Sequence, residues 1–283
     1  MQEIGWLSPL ALKDKVFTFM QKIFLFFAGN KLVLKLYENM LLNQVKKGEM
    51  PQHVAVILDG NRRWALSRGL DALYGHVEGA KKAEEFFDWC RELEKIRTVT
   101  LYLFSTENFK RSRDEVEHLM RLIEAYLKAL AEDKRIHENR IRVKVIGKRE
   151  LLPENLKNCI EKIEKVTENY NNYYLNLAIA YGGRAEIVDA VKAIVSKVVE
   201  GKISPEDVNE KVVEEHLYTG FLPNPHPDLV IRTSGEERLS NFLLWQSAYS
   251  EFCFLDVYWP NFRKVDFLRA IRVYQQRQRR FGG

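Results

Sequence analysis

Short apolar runs alternate with longer segments of helical periodicity along most of the chain. Six runs of four to seven residues are rich in β-branched or aromatic side chains, a composition typical of buried strands. They cover residues 53–58, 98–104, 141–146, 174–180, 228–231 and 252–257. Between them, apolar side chains recur at helical spacing over residues 78–93, 114–131, 153–169 and 186–199.

This order of elements predicts one α/β domain over residues 50–283. Strands that alternate with helices pair in parallel through right-handed crossovers, so we expect a central, largely parallel six-stranded sheet covered by helices. A chain of 283 residues with 46% hydrophobic side chains can bury a core of that size. Ligands of such sheets bind where loops leave the carboxyl ends of the strands, and functional residues are expected there.

The first 49 residues are predicted to form a separate amphipathic helical segment. Residues 16–28 are mostly apolar, but Gln21 and Lys22 interrupt a run that is too short to cross a bilayer as a helix. Apolar periodicity resumes over residues 32–42, so we expect neither a transmembrane helix nor an excised signal peptide. The two amphipathic helices either pack on the main domain or dock residues 10–45 on a membrane surface, and the pattern supports both interpretations equally.

The charge balance and the cysteines narrow the class of protein. A net charge of +5 is too small to require nucleic acid, but it suits phosphate ligands or an anionic lipid surface. The basic tail around Arg277 and Arg280 could instead form a nucleic-acid module, yet an amphipathic helix explains it adequately, and we expect no nucleic-acid partner. Three cysteines without a CxxC pair indicate neither a disulfide framework nor structural zinc, which fits a cytoplasmic location with at most peripheral membrane contact.

A charged segment directly follows the first predicted strand. It consists of Asp59, Gly60, Asn61, Arg62, Arg63 and Trp64. A carboxylate at a strand end can bind Mg²⁺, a glycine lets backbone N–H groups approach ligand oxygens, and paired arginines can hold a diphosphate. A solvated Asp-Gly turn would have the same composition, and for this segment alone the two interpretations are equally good.

A second polar segment follows the strand predicted over residues 98–104. Its members include Ser105, Thr106, Glu107, Asn108, Phe109 and Arg111. Hydroxyl and amide groups can orient substrate oxygens, an arginine can bind phosphate, and a phenylalanine can contact an apolar chain. Alternatively, Ser105 or Asn108 caps the helix that begins near Asp114.

The densest anion-binding pattern follows the strand predicted over residues 228–231. Arg232, Arg238 and Ser240 surround a glycine-containing turn and offer two guanidinium groups and a hydroxyl to one diphosphate. Each such charged hydrogen bond contributes about 1.5–3 kcal/mol. Glu251 is a second candidate metal carboxylate, although a single Glu is far more often a solvated side chain.

Taken in order, these motifs resemble those of the cis-prenyltransferases, and the undecaprenyl diphosphate synthases are the group they resemble most. The matching segments are DGNRRWA at Asp59, YGH at His76, FSTENFKR at Ser105, AYGGR at Arg184, DLVIRTSGEERLSNFLLWQ at Asp228 and AYSEF at Glu251. They extend from about residue 50 to the end, and several long motifs in one order are a specific signal.

The resemblance implies an Mg²⁺-dependent transferase that condenses isopentenyl diphosphate sequentially with an allylic diphosphate, either farnesyl or geranylgeranyl diphosphate. The product would be a cis-polyprenyl diphosphate, a lipid carrier of glycans, and residues 50–283 would be the catalytic domain. The resemblance also implies a hydrophobic tunnel and a homodimer formed through the C-terminal half. Leu103 and the helix over residues 78–93 are candidate tunnel walls.

The same resemblance assigns roles to individual residues. It implies that Asp59 and Glu251 bind Mg²⁺, the latter through the arrangement of the dimer. The allylic diphosphate would be bound by Gly60, Asn61, Arg62, Arg63, His76 and Arg111. Isopentenyl diphosphate would be bound by the segment of Arg232, Arg238, Leu239 and Ser240, and Gly282 of the Arg-x-Gly ending would reach the partner subunit's phosphate site.

The remaining roles concern the prenyl chain and the proton. Trp64 and Phe109 would flank the chain, with Thr106 and Glu107 beside the substrate. A neutral amide is a poor base, so we assign Asn108 and Ser105 to positioning or relay and expect a diphosphate oxygen to accept the proton. His76 is expected to act as a phosphate donor rather than a base.

Two positions depart from the bacterial pattern. Ala72 stands where many relatives have a phosphate-binding Arg, and Asn261 stands where Asp is usual. Arg62 and the long N-terminal segment resemble archaeal or eukaryotic relatives, which favours a longer primer.

An alternative of another class is a catalytically silent subunit that supports a second prenyltransferase. Such subunits normally lose the first motif, which is intact here.

Overall fold

All six strands form one parallel sheet. The computed structural model describes residues 31–277, and its strands are β1 His53–Ile57, β2 Thr98–Ser105, β3 Ile141–Ile146, β4 Tyr173–Tyr181, β5 Leu229–Arg232 and β6 Glu251–Phe254. Their spatial order is β3-β4-β2-β1-β5-β6, and every neighbouring pair is parallel. β1 is buried along its whole length, as expected for an inner strand covered on both faces. The predicted six-stranded α/β architecture is confirmed.

Nine α-helices cover the sheet in the part of the chain that the structure describes. They are α1 Lys31–Val45, α2 Asn61–Leu66, α3 Ala72–Glu92, α4 Arg113–Glu132, α5 Lys134–Glu138, α6 Glu154–Val166, α7 Gly183–Val199, α8 Glu210–His216 and α9 Lys264–Gln276. Four of them correspond to the helices predicted between the strands. α3 begins six residues earlier than predicted, because the Asp71 side chain caps it by accepting a hydrogen bond from the Leu73 amide at 2.7 Å.

The last strand is shorter than predicted because its continuation bonds to a loop instead of a strand. The amides of Ser234 and Gly235 donate to the carbonyls of Val257 and Leu255, at 2.8 and 2.9 Å. These two bonds join the loop after β5 to the segment after β6. They fix the loop that carries the third motif.

Helix α1 packs one face on the domain and leaves the other exposed. Leu41 and Val45 are fully buried, and the Gln275 side chain of α9 donates to the Val45 carbonyl at 2.8 Å. The exposed face carries Leu32, Leu36 and Met40. Packing on the domain is therefore confirmed for this helix, whereas the helix predicted over residues 16–28 lies outside the described residues. None of the helices within residues 31–277 is long and apolar enough to cross a membrane.

Candidate active site

The loops that follow β1, β2 and β5 meet at the carboxyl edge of the sheet. Asp59 lies two residues beyond β1, and Arg232 is the last residue of the neighbouring β5. Buried Thr233 joins the two loops, since its hydroxyl donates to the Asp59 carbonyl at 2.7 Å and accepts from the Asp59 amide at 3.0 Å. The first and third sequence motifs therefore form one site, as parallel-sheet topology predicts.

The Asp59 carboxylate is shared between two arginines. Oδ2 accepts from Arg232 Nη2 at 2.8 Å, and Oδ1 accepts from Arg63 Nη2 at 3.2 Å. Burial favours the neutral acid, but the hydrogen bonds and charges of Arg232 and Arg63 outweigh it and hold the pKa of Asp59 below its ordinary value. Asp59 is thus ionised at neutral pH, as a metal-binding carboxylate must be.

Arg232 is an almost fully buried cation, with 4% of its side chain exposed. Its second guanidinium nitrogen donates to Ser240 Oγ at 2.7 Å and to the carbonyl of Arg238. The planar guanidinium therefore bridges Asp59 and the Ser240 turn in one fixed orientation. The structure brings together Asp59, Arg63, Arg232 and Ser240, all of which were predicted from sequence.

Glu236 is a site residue that the sequence reasoning missed. Its carboxylate accepts from Arg63 Nη1 at 3.2 Å and also pairs with Arg238. Arg238 is 63% exposed, so its guanidinium can move toward an incoming anion. The acidic pair within the GEER segment was the available signal, since a carboxylate between arginines often orders them.

Gly60 adopts a backbone conformation that only glycine accepts easily. Its φ is +102°, and a Cβ at this position would lie 2.7 Å from the ring of Tyr258. This left-handed turn redirects the chain from β1 into α2, which begins at Asn61. The side-chain oxygen of Asn61 is buried and has no hydrogen-bond partner among the described residues. This unpaired atom lies against Gly79 of α3, since a Cβ built on Gly79 would be 2.4 Å from it.

A second cation cluster surrounds Glu115 in the first turn of α4. Its carboxylate lies 2.8 Å from Arg111, 3.5 Å from Arg62 and 3.5 Å from His76 Nε2. These three partners are residues predicted to bind the allylic diphosphate. Burial, reinforced by the charge of Arg111, lowers the pKa of His76 to about 4. The ring is therefore neutral at physiological pH, and its predicted role as a phosphate donor rather than a base stays a prediction.

Glu115 was missed by the sequence reasoning, although its spacing from Arg111 is that of a helical ion pair. We predict that Glu115→Gln raises the KM for the allylic diphosphate about tenfold, roughly 1.4 kcal/mol, with little change in kcat. Without the carboxylate, the surrounding cations repel one another and lose their common orientation. Steady-state kinetics with varied allylic substrate measure the effect.

The matched control for this prediction is Glu117→Gln. Glu117 is a more exposed acid on the same helix that pairs with Arg113 at 2.8 Å, so its loss should leave both constants unchanged. A KM that falls in Glu115→Gln would contradict a positioning role and would show that the carboxylate competes with the diphosphate.

The second motif connects to the third through a polar chain. The Ser105 amide donates to Asn108 Oδ1 at 3.0 Å, so these residues stabilise the short turn of residues 106–110 rather than capping α4. Ser112 instead caps α4 by accepting from the Glu115 amide. Glu107 contacts the Thr106 hydroxyl at 3.1 Å and accepts from Asn241 Nδ2 at 2.9 Å. Their predicted roles toward substrate stay predictions.

Trp64 has neighbours other than the predicted prenyl chain. Its indole donates to Asn261 Oδ1 at 2.8 Å and stacks with Tyr74, while the Arg68 guanidinium lies over its ring. Asn261, one of the two departures from the bacterial pattern, therefore retains a hydrogen-bonding role without a charge. Ala72, the other departure, is the first residue of α3.

Phe109 and Leu239 pack against the protein core. Phe109 meets Phe104 edge to face with ring centroids 4.9 Å apart, and Leu239 packs against the cluster that contains Phe242. Both are partly exposed, and their contacts with substrate stay predictions. Gly282 lies outside the described residues.

An apolar cleft extends from His76 of the Glu115 cluster between α3, α4 and the sheet. Asn61 and His76 line it at the end near Glu115. Its middle is formed by Leu101, Leu103, Leu119, Ile123, Leu127, Leu175 and Leu177. The space, including the part open to solvent, is about 1070 Å³. Leu103 and α3 do line this cleft, as expected of the two predicted walls.

Glu251 lies at the opposite edge of the sheet from Asp59. It begins β6, in register with Leu229 of β5 and through it with Val54 of β1. Asp59 comes five residues after Val54 in the strand direction, which corresponds to roughly 16 Å between the two positions at the rise of a strand. Within one chain the two carboxylates therefore do not meet, and Glu251 accepts from Arg277 at 2.8 Å instead.

The site fits a magnesium ion held jointly with substrate phosphate. No group of three or more His, Cys, Asp or Glu side chains converges within residues 31–277. Asp59, next in sequence to the cleft-lining residue Leu58, supplies one ionised carboxylate, and Mg²⁺ is commonly bound by one or two carboxylates together with substrate phosphates.

Sequence and fold both match known proteins. The prenyltransferase family model of the undecaprenyl diphosphate synthase family matches residues 57–282. The chain is 58% identical over 248 residues to the geranylgeranyl-diphosphate-specific tritrans,polycis-undecaprenyl-diphosphate synthase of Pyrococcus furiosus, covering 87% of this chain and 92% of that protein. The enzyme of the same name from Methanocaldococcus jannaschii is 54% identical over 256 residues, covering 90% and 91%.

A solved structure gives the same result for the fold. Lavandulyl diphosphate synthase from Lavandula x intermedia, in complex with dimethylallyl diphosphate, matches with a TM-score of 0.79 and 38% identity. The match covers 83% of this chain and 99% of that chain.

Proposed function

Because the chain belongs to the undecaprenyl diphosphate synthase family of prenyltransferases, we propose that it condenses isopentenyl diphosphate repeatedly with an allylic diphosphate to form a cis-polyprenyl diphosphate. The observation that carries this proposal is that the adjacent residues Arg62 and Arg63 belong to two separate cation clusters, close in sequence to Leu58 and Asn61, which line one end of the apolar cleft. Two clusters can bind two diphosphates, and the cleft can hold the growing prenyl chain. We further propose that the primer is geranylgeranyl diphosphate, because the names of the archaeal relatives describe them as specific for it.

Each cluster has a distinct role in the proposal. Arg62, Arg111 and neutral His76 bind the allylic diphosphate, and its prenyl tail enters the cleft past Asn61. Arg232 and Arg238 bind isopentenyl diphosphate and set its alkene near the allylic carbon. Fixed cations beside the departing diphosphate favour the developing negative charge.

Asp59 is proposed to hold Mg²⁺ together with diphosphate oxygens, and the ion would supply further charge neutralisation to the leaving group. Arg63 and Arg232 keep the Asp59 carboxylate ionised and oriented. Asn108, fixed by the Ser105 amide, serves to position substrate, and a diphosphate oxygen accepts the proton lost from the new unit. The use of the product as a glycan carrier stays a prediction.

Incubation of the purified chain with radiolabelled isopentenyl diphosphate, Mg²⁺ and primers of different length tests the function. We expect long labelled products, with the highest kcat/KM for geranylgeranyl diphosphate. An absence of turnover by the chain alone would contradict the proposal and would favour a silent subunit that needs a catalytic partner.

A homodimer is proposed from an exposed apolar stripe on α7. Val188, Val191 and Val195 are each about half exposed and recur at helical spacing, which is unusual for a fully solvated face. A second copy would also have to supply Glu251 if that residue reaches a metal at Asp59. Sedimentation velocity tests the dimer, and a monomer at micromolar concentration would refute it.

Peripheral membrane contact is proposed from the exposed face of α1. Leu32, Leu36 and Met40 are 57–66% exposed and lie one helical turn apart, so they form a stripe that can enter a lipid surface. Cosedimentation with vesicles of anionic phospholipid tests this contact. Equal amounts of protein in the supernatant with and without vesicles would exclude it.

A further inference from the structure

Three loops at the carboxyl edge of the sheet converge on Asn241, which follows Ser240 in the loop after β5. Its side-chain oxygen accepts from the Arg184 amide at 2.9 Å, in the first turn of α7. Its side-chain nitrogen donates to Glu107 Oε1 at 2.9 Å, in the turn after β2. Its carbonyl oxygen accepts from the Gly183 amide at 2.7 Å. One residue therefore joins the segments that follow β2, β4 and β5.

The two side-chain partners of Asn241 fix the orientation of its amide. The backbone N–H of Arg184 needs an acceptor, whereas the Glu107 carboxylate needs a donor, and an amide offers one of each. Partial burial favours the neutral form of Glu107, but hydrogen bonds from its own backbone and from Asn241 hold the pKa of that carboxyl below its ordinary value. Asn241 therefore meets an ionised carboxylate at neutral pH.

Close packing against the loop after β4 holds the Asn241 amide in place. A Cβ built on buried Gly182 would lie 2.7 Å from Asn241 Nδ2 and 2.8 Å from the Thr106 hydroxyl. Glycine at this position thus lets both polar groups approach the backbone of the AYGGR segment. The contact accounts for the first glycine of a motif that the two cation clusters do not use.

The turn that contains Asn241 has a backbone conformation that most residues avoid. The φ angles of Ser240 and Asn241 are +49° and +64°, and that of Leu243 is +41°. Residues other than glycine persist in this region when their surroundings hold them there, although Asn accepts it better than most. Fully buried Phe242 anchors the turn from below by stacking on Tyr102, with ring centroids 4.5 Å apart. The Asn241 amide holds the same turn from the side.

We propose that Asn241 is a positioning residue for the isopentenyl diphosphate site. This inference rests on the proposed function. The Ser240 hydroxyl accepts from Arg232 Nη1 at 2.7 Å, and the Ser240 carbonyl accepts from the Tyr102 hydroxyl at 3.3 Å. By joining the Ser240 turn to the segments after β2 and β4, Asn241 keeps the Ser240 hydroxyl and the Arg232 guanidinium directed at one diphosphate. Asn241 itself needs no contact with substrate for this role.

Asn241→Asp tests the hydrogen bonds without changing the shape of the side chain. Among the charged residues of the elements packed on this position, Glu107 contacts it through its carboxylate and Arg184 through its backbone amide, while Arg232 reaches it through Ser240. An ionised aspartate would repel Glu107 and lose the donated hydrogen bond. A protonated aspartate would again offer one donor and one acceptor, as the native amide does.

The expected result is a pH-dependent defect in Asn241→Asp. At about pH 8 the KM for isopentenyl diphosphate should exceed that of the wild type about tenfold, because a charged hydrogen bond is lost. Two adjacent carboxylates raise each other's pKa, so the pair should bind a proton as the pH falls from about 8 to about 6. The ratio of the two KM values, taken at the same pH, should therefore decrease toward one. Steady-state kinetics over this range measure the ratio.

Asn241→Gly separates the side chain from the backbone conformation. Glycine accepts a φ of +64° but has no amide, so the KM for isopentenyl diphosphate should rise about tenfold at every pH without recovery. In both variants the KM for the allylic substrate should change little. Asn171→Asp is the matched control, since Asn171 is an exposed residue just before β4, and it should behave like the wild type throughout.

Two results would overturn the role of Asn241 while leaving the proposed function intact. One is a wild-type KM for isopentenyl diphosphate at about pH 8 in either folded variant, as verified by circular dichroism, so the test stands if the other variant does not fold. The other is a defect in Asn241→Asp that persists unchanged at the lower pH. A wild-type chain that forms no product would overturn both this inference and the proposed function.

Discussion

Asp59→Asn should lower the kcat for condensation about a thousandfold, the size of effect seen when a preorganised electrostatic contact to a transition state is lost. The amide keeps the shape of the side chain but removes the negative charge that two arginines share at 2.8 and 3.2 Å. It also removes the only ionised oxygen donor that we assign to Mg²⁺ in the described site. Single-turnover assays with radiolabelled isopentenyl diphosphate measure the loss.

Two controls separate loss of chemistry from loss of fold. Asp207→Asn changes an exposed aspartate in the turn of residues 205–207 and should retain full activity. The thermal unfolding of Asp59→Asn should show a folded protein, because Arg232 keeps its contacts with Ser240 and the Arg238 carbonyl. Turnover within a few-fold of wild type would refute the role assigned to Asp59.

Arg232→Lys should lower kcat/KM for isopentenyl diphosphate about a hundredfold, equivalent to roughly 2.7 kcal/mol. Lysine keeps the charge, but one ammonium group cannot reproduce the planar guanidinium that bridges Asp59 and Ser240. The KM for the allylic substrate should change much less, since the Glu115 cluster does not include Arg232. Initial rates with each substrate varied in turn measure the two effects.

The comparison variant for this second prediction is Arg121→Lys on α4. Arg121 is 67% exposed and its carboxylate contact is 3.8 Å, so the exchange should leave the kinetics and stability unchanged. Equal losses for both substrates in Arg232→Lys would mean that the two clusters are not separate binding sites.

Parallel-sheet topology made the core of the site predictable from sequence. Asp59 lies just beyond β1 and Arg232 ends β5, and parallel strands bring such ends to one edge. The spacing in sequence between them is irrelevant once β1 and β5 are neighbours. Gly60 was identified for the same local reason, as a turn residue directly after a strand.

The remaining site residues depend on how distant elements pack. Glu115 is an ordinary acid near a helix N-terminus in sequence, and only the crossing of α4 near α2 and α3 brings Arg62 and His76 to it. Likewise, only the packing of α5 near α3 brings Arg135 to Asp88. The hydrophobic periodicity of the sequence does not predict these contacts.

For Glu251, the sequence motif identified a candidate metal ligand but did not predict where that residue lies in the fold. Its place at the start of β6 puts it at the amino edge of the sheet, whereas Asp59 lies beyond the carboxyl end of β1. Strand boundaries decide which edge a residue occupies, and β6 was predicted one residue late. Any pairing of the two carboxylates is therefore a property of the assembly and not of the single chain.

The most direct measurement is a crystal structure of the protein with Mg²⁺, isopentenyl diphosphate and a thiolodiphosphate analogue of the allylic primer. We expect the allylic diphosphate at Arg62, His76 and Arg111 with its tail along Leu103, and the second diphosphate at Arg232 and Arg238. Both ligands bound away from these groups, with the prenyl tail outside the cleft, would contradict the central claim that two cation clusters serve one apolar channel.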